Sequence, residues 1–210
     1  GGVNYIIVRV DNDVDRSLIP SQKADFVLYG GLTRDVYLRI RPSAYIASVL
    51  FDTPVVSRPS AQIIATVQID GRTRRTHSYR LGVGVLDPDG KTISHKQFTV
   101  EAGDGTAGFK FEMPEISTPH LWSPATPGLY TLQVTLLDEE DTVAHQTSET
   151  FGLRWFGFAD DGAFMLNGER LLLRGTHRHE EHAGYGAAMP DALHVRDMEM
   201  IKELGANFVR

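Results

Sequence analysis

Six consecutive residues, His177-Arg178-His179-Glu180-Glu181-His182, concentrate three imidazoles, two carboxylates and a guanidinium in one stretch. Imidazole titrates near neutrality and serves as proton carrier, hydrogen-bond donor or metal ligand. Carboxylates beside it accept hydrogen bonds from hydroxyls or pair with cations. Two chemistries fit this composition. His177-x-His179 has the spacing with which neutral imidazoles hold a catalytic divalent metal. The same charged side chains could instead bind the hydroxyls of a sugar, with carboxylates elsewhere carrying out the reaction. The plain alternative is a polar surface loop whose histidines bond to backbone carbonyls.

The elements around the loop decide how much chemistry it can do. Phe164-Met165-Leu166 and Leu171–Arg174 flank Asn167-Gly168, a strong two-residue hairpin signal, and are read as two strands. The second strand runs directly into the ionisable loop. Pro190-Asp191 then opens a helix, since proline suits the first turn and aspartate the positive end. Leu193, Met200, Ile201 and Leu204 form its apolar stripe, although Asp197 intrudes on it. Gly205 stops the helix, and Asn207–Arg210 begins another strand. Strand, loop, helix, strand is the opening βα unit of a (β/α) barrel. In such barrels the loops after the strands form the active face. Arg210, ending the next strand, is expected to project beside the 177–182 loop.

Upstream, residues 43–152 read as an immunoglobulin-like β-sandwich of short strands separated by turns. Ala61–Ile69, Tyr79–Leu86 and 129–137 alternate with period two. Asp87-Pro88-Asp89-Gly90 is a tight turn, and Glu139-Glu140-Asp141 is a solvated hairpin tip. Asn4–Val10 and Asp35–Arg41 also alternate and are expected to be strands. The fold class expected is therefore mainly β, with a barrel beginning at its end. The chain of 210 residues carries a formal charge of −6, which disfavours a nucleic-acid surface. It has no cysteine, so disulfides, thiolate metal sites and a cysteine nucleophile are excluded. No apolar run approaches the roughly 20 residues of a spanning helix, so no membrane partner is expected.

Several motifs resemble glycoside hydrolase family 2. Leu166-Asn167-Gly168-Glu169-Arg170, Leu173-Arg174-Gly175 and Arg178-His179-Glu180 are similar to the start of its catalytic barrel. Asp197, Ile201–Asn207 and Val209-Arg210 extend the likeness. Asp25-Phe26, Tyr29-Gly30-Gly31 and Arg34-Asp35-Val36 resemble the last strands of the family's sugar-binding jelly roll. Leu121-Trp122-Ser123-Pro124 with Leu129-Tyr130 is similar to its immunoglobulin-like domain. The resemblance implies three pieces: jelly-roll strands over 1–42, a sandwich over 43–152 and the start of a TIM barrel over 153–210. On this reading both ends of the chain fall inside larger domains.

By the same resemblance, His179 contacts the sugar and favours its transition state, and Arg210 lines the pocket. Asp25 reaches into the site from the jelly roll, and Glu180 is a substrate-side carboxylate or a structural partner. Arg34-Asp35 reads as structural. Trp122 and Trp155 read as core rather than as sugar platforms. The activity implied is a retaining, β-galactosidase-like hydrolysis of terminal β-linked sugars in carbohydrate metabolism. No cofactor is required, although sodium or magnesium is compatible with the full enzyme, and so is a homo-oligomer. The chain departs from many galactosidases in having His177 where they carry asparagine. No glutamate here matches either catalytic motif of the family, so these residues alone are expected to be inactive. Two alternatives stay open: an amidohydrolase-like metal site at His177 and His179, and a non-catalytic carbohydrate-binding scaffold.

Overall fold

The computed structural model describes residues 3–13, 15–17 and 27–210. Two compact units divide the chain: Arg39–Leu172, and Leu173–Arg210 together with the segment up to Leu38. The first unit contains β1 (Ala44–Val56), β2 (Ser60–Gly71), β3 (His77–Leu86), β4 (Thr92–Ala102), β5 (Gly105–Glu112), β6 (Ile116–Ser117), β7 (Tyr130–Leu137) and β8 (Val143–Phe151). After these come β9 (Phe156–Phe158), β10 (Phe164–Leu166) and β11 (Glu169–Arg170). The second unit adds β12 (Gly175–Thr176), α1 (Asp191–Glu203) and β13 (Phe208–Val209).

Period-two alternation builds the sandwich. One sheet runs β1-β2-β5, with β6 also paired to β2, and the other runs β4-β3-β7-β8, all antiparallel. Ala61, Ile63, Ala65, Val67 and Ile69 of β2 meet Leu81, Val83 and Val85 of β3 in one core. Tyr130, Leu132, Val134 and Leu136 of β7 complete it. The expected strands at 61–69, 79–86 and 129–137 are therefore present, each extended or trimmed by a residue or two. The two expected turns form as well. Asp87 Oδ1 accepts from the backbone N–H groups of Asp89 and Lys91, and Asp138 Oδ1 does the same for Glu140 and Thr142. The acidic tip is more than a solvated end, because Asp141 pairs with Arg80.

Three expectations need correction. Asn4–Val10 and Asp35–Arg41 hold no strand. Residues of both faces are exposed there, Ile6 at 84% and Ile7 at 93%, and among the described residues no neighbouring strand supplies the ladder that alternation presupposes. Leu171–Arg174 is not the hairpin's second strand. Asn167 and Gly168 take φ of 53° and 81°, so pairing begins at the very next residues, Glu169-Arg170, opposite Leu166 and Met165. Trp122 and Trp155 are half-buried and lie outside the core.

Asn167 does more than make this turn. It is buried; its Oδ1 accepts from the Trp155 N–H at 3.1 Å and its Nδ2 donates to the Trp122 carbonyl at 2.9 Å. One amide thus ties the β9-β10-β11 sheet to the end of the sandwich. Replacing Asn167 by Ala strands two backbone groups and places a Cβ residue without local bonding at positive φ. It should cost about 2–4 kcal/mol in a urea unfolding titration. Asn167→Gly, which keeps the turn and loses only the bonds, should cost less.

His145 on β8 supplies a pH dependence. Its Nε2 lies 2.8 Å from Arg41 Nη1, and its Nδ1 faces the Ile46 N–H at 3.4 Å. Burial, then the Arg41 charge, holds its pKa below the ordinary histidine value. The unfolded chain therefore binds the proton more readily, and stability rises with pH across this interval. The contribution is complete above about pH 6.5 and is lost as pH falls toward the lowered folded value. His145→Gln should flatten that slope when unfolding midpoints are compared between pH 5 and 7.5.

Candidate active-site loop

A parallel two-residue ladder sets up the loop. Gly175 and Thr176 of β12 pair with Phe208 and Val209 of β13, and α1 lies between them in sequence. Glycine at 175 is dictated by that pairing, since a Cβ there would sit 2.8 Å from the Phe208 ring. Past the strands the ladder continues into the loop: Arg210 N–H donates to the Thr176 carbonyl at 3.0 Å, and Arg178 N–H donates to the Arg210 carbonyl at 3.1 Å. Arg210 thus lies beside the 176–178 backbone, at the carboxyl ends of two adjacent parallel strands. His177, His179 and Glu180 follow on the same loop, and all three are exposed.

The least exposed side chain of the 177–182 loop is Arg178, with 10% of it exposed. Its Nε and Nη2 donate to Asp197 Oδ2 at 2.9 and 2.7 Å, and Nη2 lies 2.9 Å from His194 Nδ1. This explains the carboxylate on the apolar stripe of α1. Leu193, Asp197 and Ile201, four apart, all lie on its less exposed face, and Asp197 is there to meet Arg178. Met200 and Leu204, expected on that stripe, are 50% and 78% exposed, and no residue of α1 is fully buried. The helix begins after Pro190 and closes at Leu204, with Gly205 at φ 87°, as the sequence implied.

Glu180 is held from two sides. Oε2 accepts from Arg34 Nη2 at 3.0 Å, and Oε1 lies 3.5 Å from Arg178 Nη1. Arg34 also donates through Nη1 to the carbonyls of Ala187 at 2.6 Å and Thr33 at 3.0 Å. Tyr29 donates its hydroxyl to Glu181 Oε2 at 3.3 Å. Desolvation first, then that carboxylate, raises the phenol's pKa. A shallow cleft of about 390 Å³ opens here, lined by Tyr29, Glu181, His182 and Gly186 among others.

Of the four residues singled out for the site, the structure brings Arg210 and the loop bearing His179 and Glu180 together. Asp25 lies outside the described residues. Sequence reasoning passed over Arg178, Asp197 and His194 as a cluster, while its reading of Arg34 as a structural hydrogen-bonding or ion-pairing residue agrees with the contacts to Glu180 and Ala187. The one signal for the cluster was the carboxylate on an otherwise apolar helical stripe. Among the described residues no three His, Asp or Glu side chains converge as a metal-holding group.

Fold and loop together define an immunoglobulin-like sandwich followed by the opening βα unit of a TIM barrel. The model of glycosyl hydrolases family 2 matches residues 44–154, over half of the chain, and that of the family's TIM barrel domain matches residues 158–210. The chain belongs to glycosyl hydrolases family 2. A Formosa agariphila protein with a provisional beta-glucuronidase name is 46% identical over all of this chain and 24% of its own length. A beta-galactosidase of Thermoanaerobacter pseudethanolicus is 32% identical over 99% of this chain and 27% of its own length. Among solved structures, Bacteroides uniformis beta-glucuronidase 2, covalently bound to cyclophellitol-6-carboxylate aziridine, matches with a TM-score of 0.91 at 31% identity. That match covers 96% of this chain and 25% of the other. The chain thus spans about a quarter of the length of these relatives. An amidohydrolase reading leaves the match over the sandwich unexplained.

If Asp197 is what satisfies the Arg178 charge, Asp197→Ala should free the loop without disturbing the sandwich. Amides of residues 176–182 should then exchange roughly tenfold faster, while those of β7 keep their protection. Hydrogen exchange read by mass spectrometry checks both.

Proposed function

We propose that these residues form part of a retaining β-glycosidase that removes a terminal β-linked sugar from a carbohydrate substrate. The observation that carries this is the register at the end of the parallel pair. Backbone bonds place Arg210 against the loop of His179, on the strand ends where barrel enzymes bind substrate, in a chain of this family. His179 and Arg210 line the sugar pocket, and Glu180 holds the loop. By the family resemblance alone, Asp25 is a further candidate for contact with the same sugar. The reaction needs a nucleophile and an acid/base carboxylate about 5 Å apart, with a glycosyl-enzyme intermediate between two displacements. One βα unit out of a barrel of roughly 250 residues does not supply that pair.

β-Glucuronides are the favoured substrate. The 46% identical relative carries that provisional name, and the enzyme at TM-score 0.91 is covalently bound by a carboxylate-bearing cyclitol, as a retaining nucleophile would be. β-Galactosides are the second reading, favoured by the Arg178-His179-Glu180 motif and by the 32% identical beta-galactosidase.

The full-length gene product, assayed on chromogenic β-glucuronide, β-galactoside and β-mannoside, should turn over one of them, with retention at the anomeric carbon seen by NMR. The 210 residues alone should turn over none. No turnover by a folded full-length protein would leave the carbohydrate-binding scaffold in its place. His179→Ala in the active enzyme should lower turnover at least about tenfold if the imidazole binds the transition state. Unchanged turnover would make 177–182 an ordinary polar loop.

A further inference from the structure

We propose that Arg34 is a positioning residue for His179, holding the active-site loop from outside it at two points. The proposal rests on the glycosidase reading above. Arg34 stands 146 residues before Glu180 and 153 before Ala187, yet one guanidinium grips both: Nη2 on the Glu180 carboxylate and Nη1 on the Ala187 carbonyl. From Glu180 the charges alternate inward, to Arg178 at 3.5 Å and from Arg178 to Asp197 at 2.7 Å. His179 sits in sequence between the two central members of this relay. The residue before it and the residue after it are each held by an opposite charge, so the backbone from which its side chain departs is held by the relay.

The segment that carries Arg34 touches the loop elsewhere too. The Tyr29 hydroxyl reaches Glu181, and the Tyr29 ring lies against Gly186, where a Cβ would come within 2.8 Å of it. Gly186 has φ 56°, so a side chain there is opposed by both backbone and ring. Residues 29–34 therefore meet the loop at 180, 181, 186 and 187.

Magnitude separates positioning from stabilisation. The Arg34–Glu180 pair keeps 56% and 58% of its side chains exposed, and pairs of that kind contribute only about 0–1 kcal/mol. An interaction that adds so little to the fold can still fix geometry, because the planar fork reaches two acceptors on different residues at once. A lysine ammonium in its place is a point charge without that fork. A small displacement of a sugar-binding imidazole is costly to catalysis even where the fold is untouched.

The test is a double-mutant cycle in the full-length enzyme. Arg34→Ala should lower kcat/KM about tenfold, chiefly through kcat, with the thermal midpoint unchanged. Added to His179→Ala it should cost little more than His179→Ala alone, and Arg34→Lys should recover only part of the loss. Additive losses, full recovery by lysine or an unaffected Arg34→Ala enzyme would each overturn the proposal. Hydrogen exchange on the same proteins gives a readout independent of turnover. Amides of 177–187 should exchange at least about tenfold faster in Arg34→Ala, with β7 unaffected. Unchanged exchange would overturn the proposal as well. A parent enzyme inactive on every glycoside would end the glycosidase reading, while the exchange result would still decide whether Arg34 holds the loop.

Discussion

A guanidinium with a tenth of its side-chain surface left in water must find acceptors from the protein, and Arg178 draws them from three directions. Asp197 comes from α1, Glu180 from two residues further along the loop, and His194 from the helix turn before Asp197. Asp197 and His194 hold α1 to this charge, and Glu180 holds the loop to it. The helix cannot rotate without losing Asp197, and the loop cannot lift without losing Glu180. The backbone of Arg178 meanwhile closes onto Arg210. Because the cost of an unpaired buried charge exceeds that of any exposed contact nearby, the geometry of the whole barrel-opening unit is organised around this residue.

The sandwich is held differently. Its strands bury alternate aliphatic residues between two sheets, a force proportional to area and indifferent to direction. Such a core tolerates changes in its surface loops. The stretch from the 177–182 loop through α1 has less apolar support: no residue of α1 is fully buried, and Met189 is the buried apolar side chain before it. Its order comes from hydrogen bonds and ion pairs, which are directional and short-ranged. Directional bonds of this kind suit the proposed task of holding polar groups at fixed distances from a sugar.

This contrast also explains which parts could be read from the sequence. Alternation over 61–69, 79–86 and 129–137 identifies strands because each writes its burial pattern locally, and the helix is legible from Pro190 and Gly205. The same alternation at 4–10 and 35–41 misled, since it records what a strand could bury and not whether a partner strand lies alongside. The hairpin slipped for a related reason: the apolar run Leu171–Leu173 looked like a strand, but the positive φ of Asn167 and Gly168 fixed the pairing closer to the turn. At the site, the density of ionisable residues gave the loop away. Its wiring was hidden, because Arg178 meets Asp197 across 19 residues and Arg34 meets Glu180 across 146, separations that leave no periodic trace.

One trace was present in the form of a misfit. Asp197 broke the apolar stripe of α1, and a carboxylate on the inward face of a helix requires a cation or a set of donors opposite it. The nearest unassigned cation on an element preceding that helix is Arg178, in the very loop already suspected of chemistry. The residues that spoiled the simple pattern were therefore the ones carrying the structural information. In a fold assembled from apolar periodicities, departures from period mark where polar networks enter, and here the network runs from α1 through Arg178 to Glu180 and Arg34. The sequence places the imidazole in view, and the ion pairs on either side of it become visible only once each misplaced ion is matched with its partner.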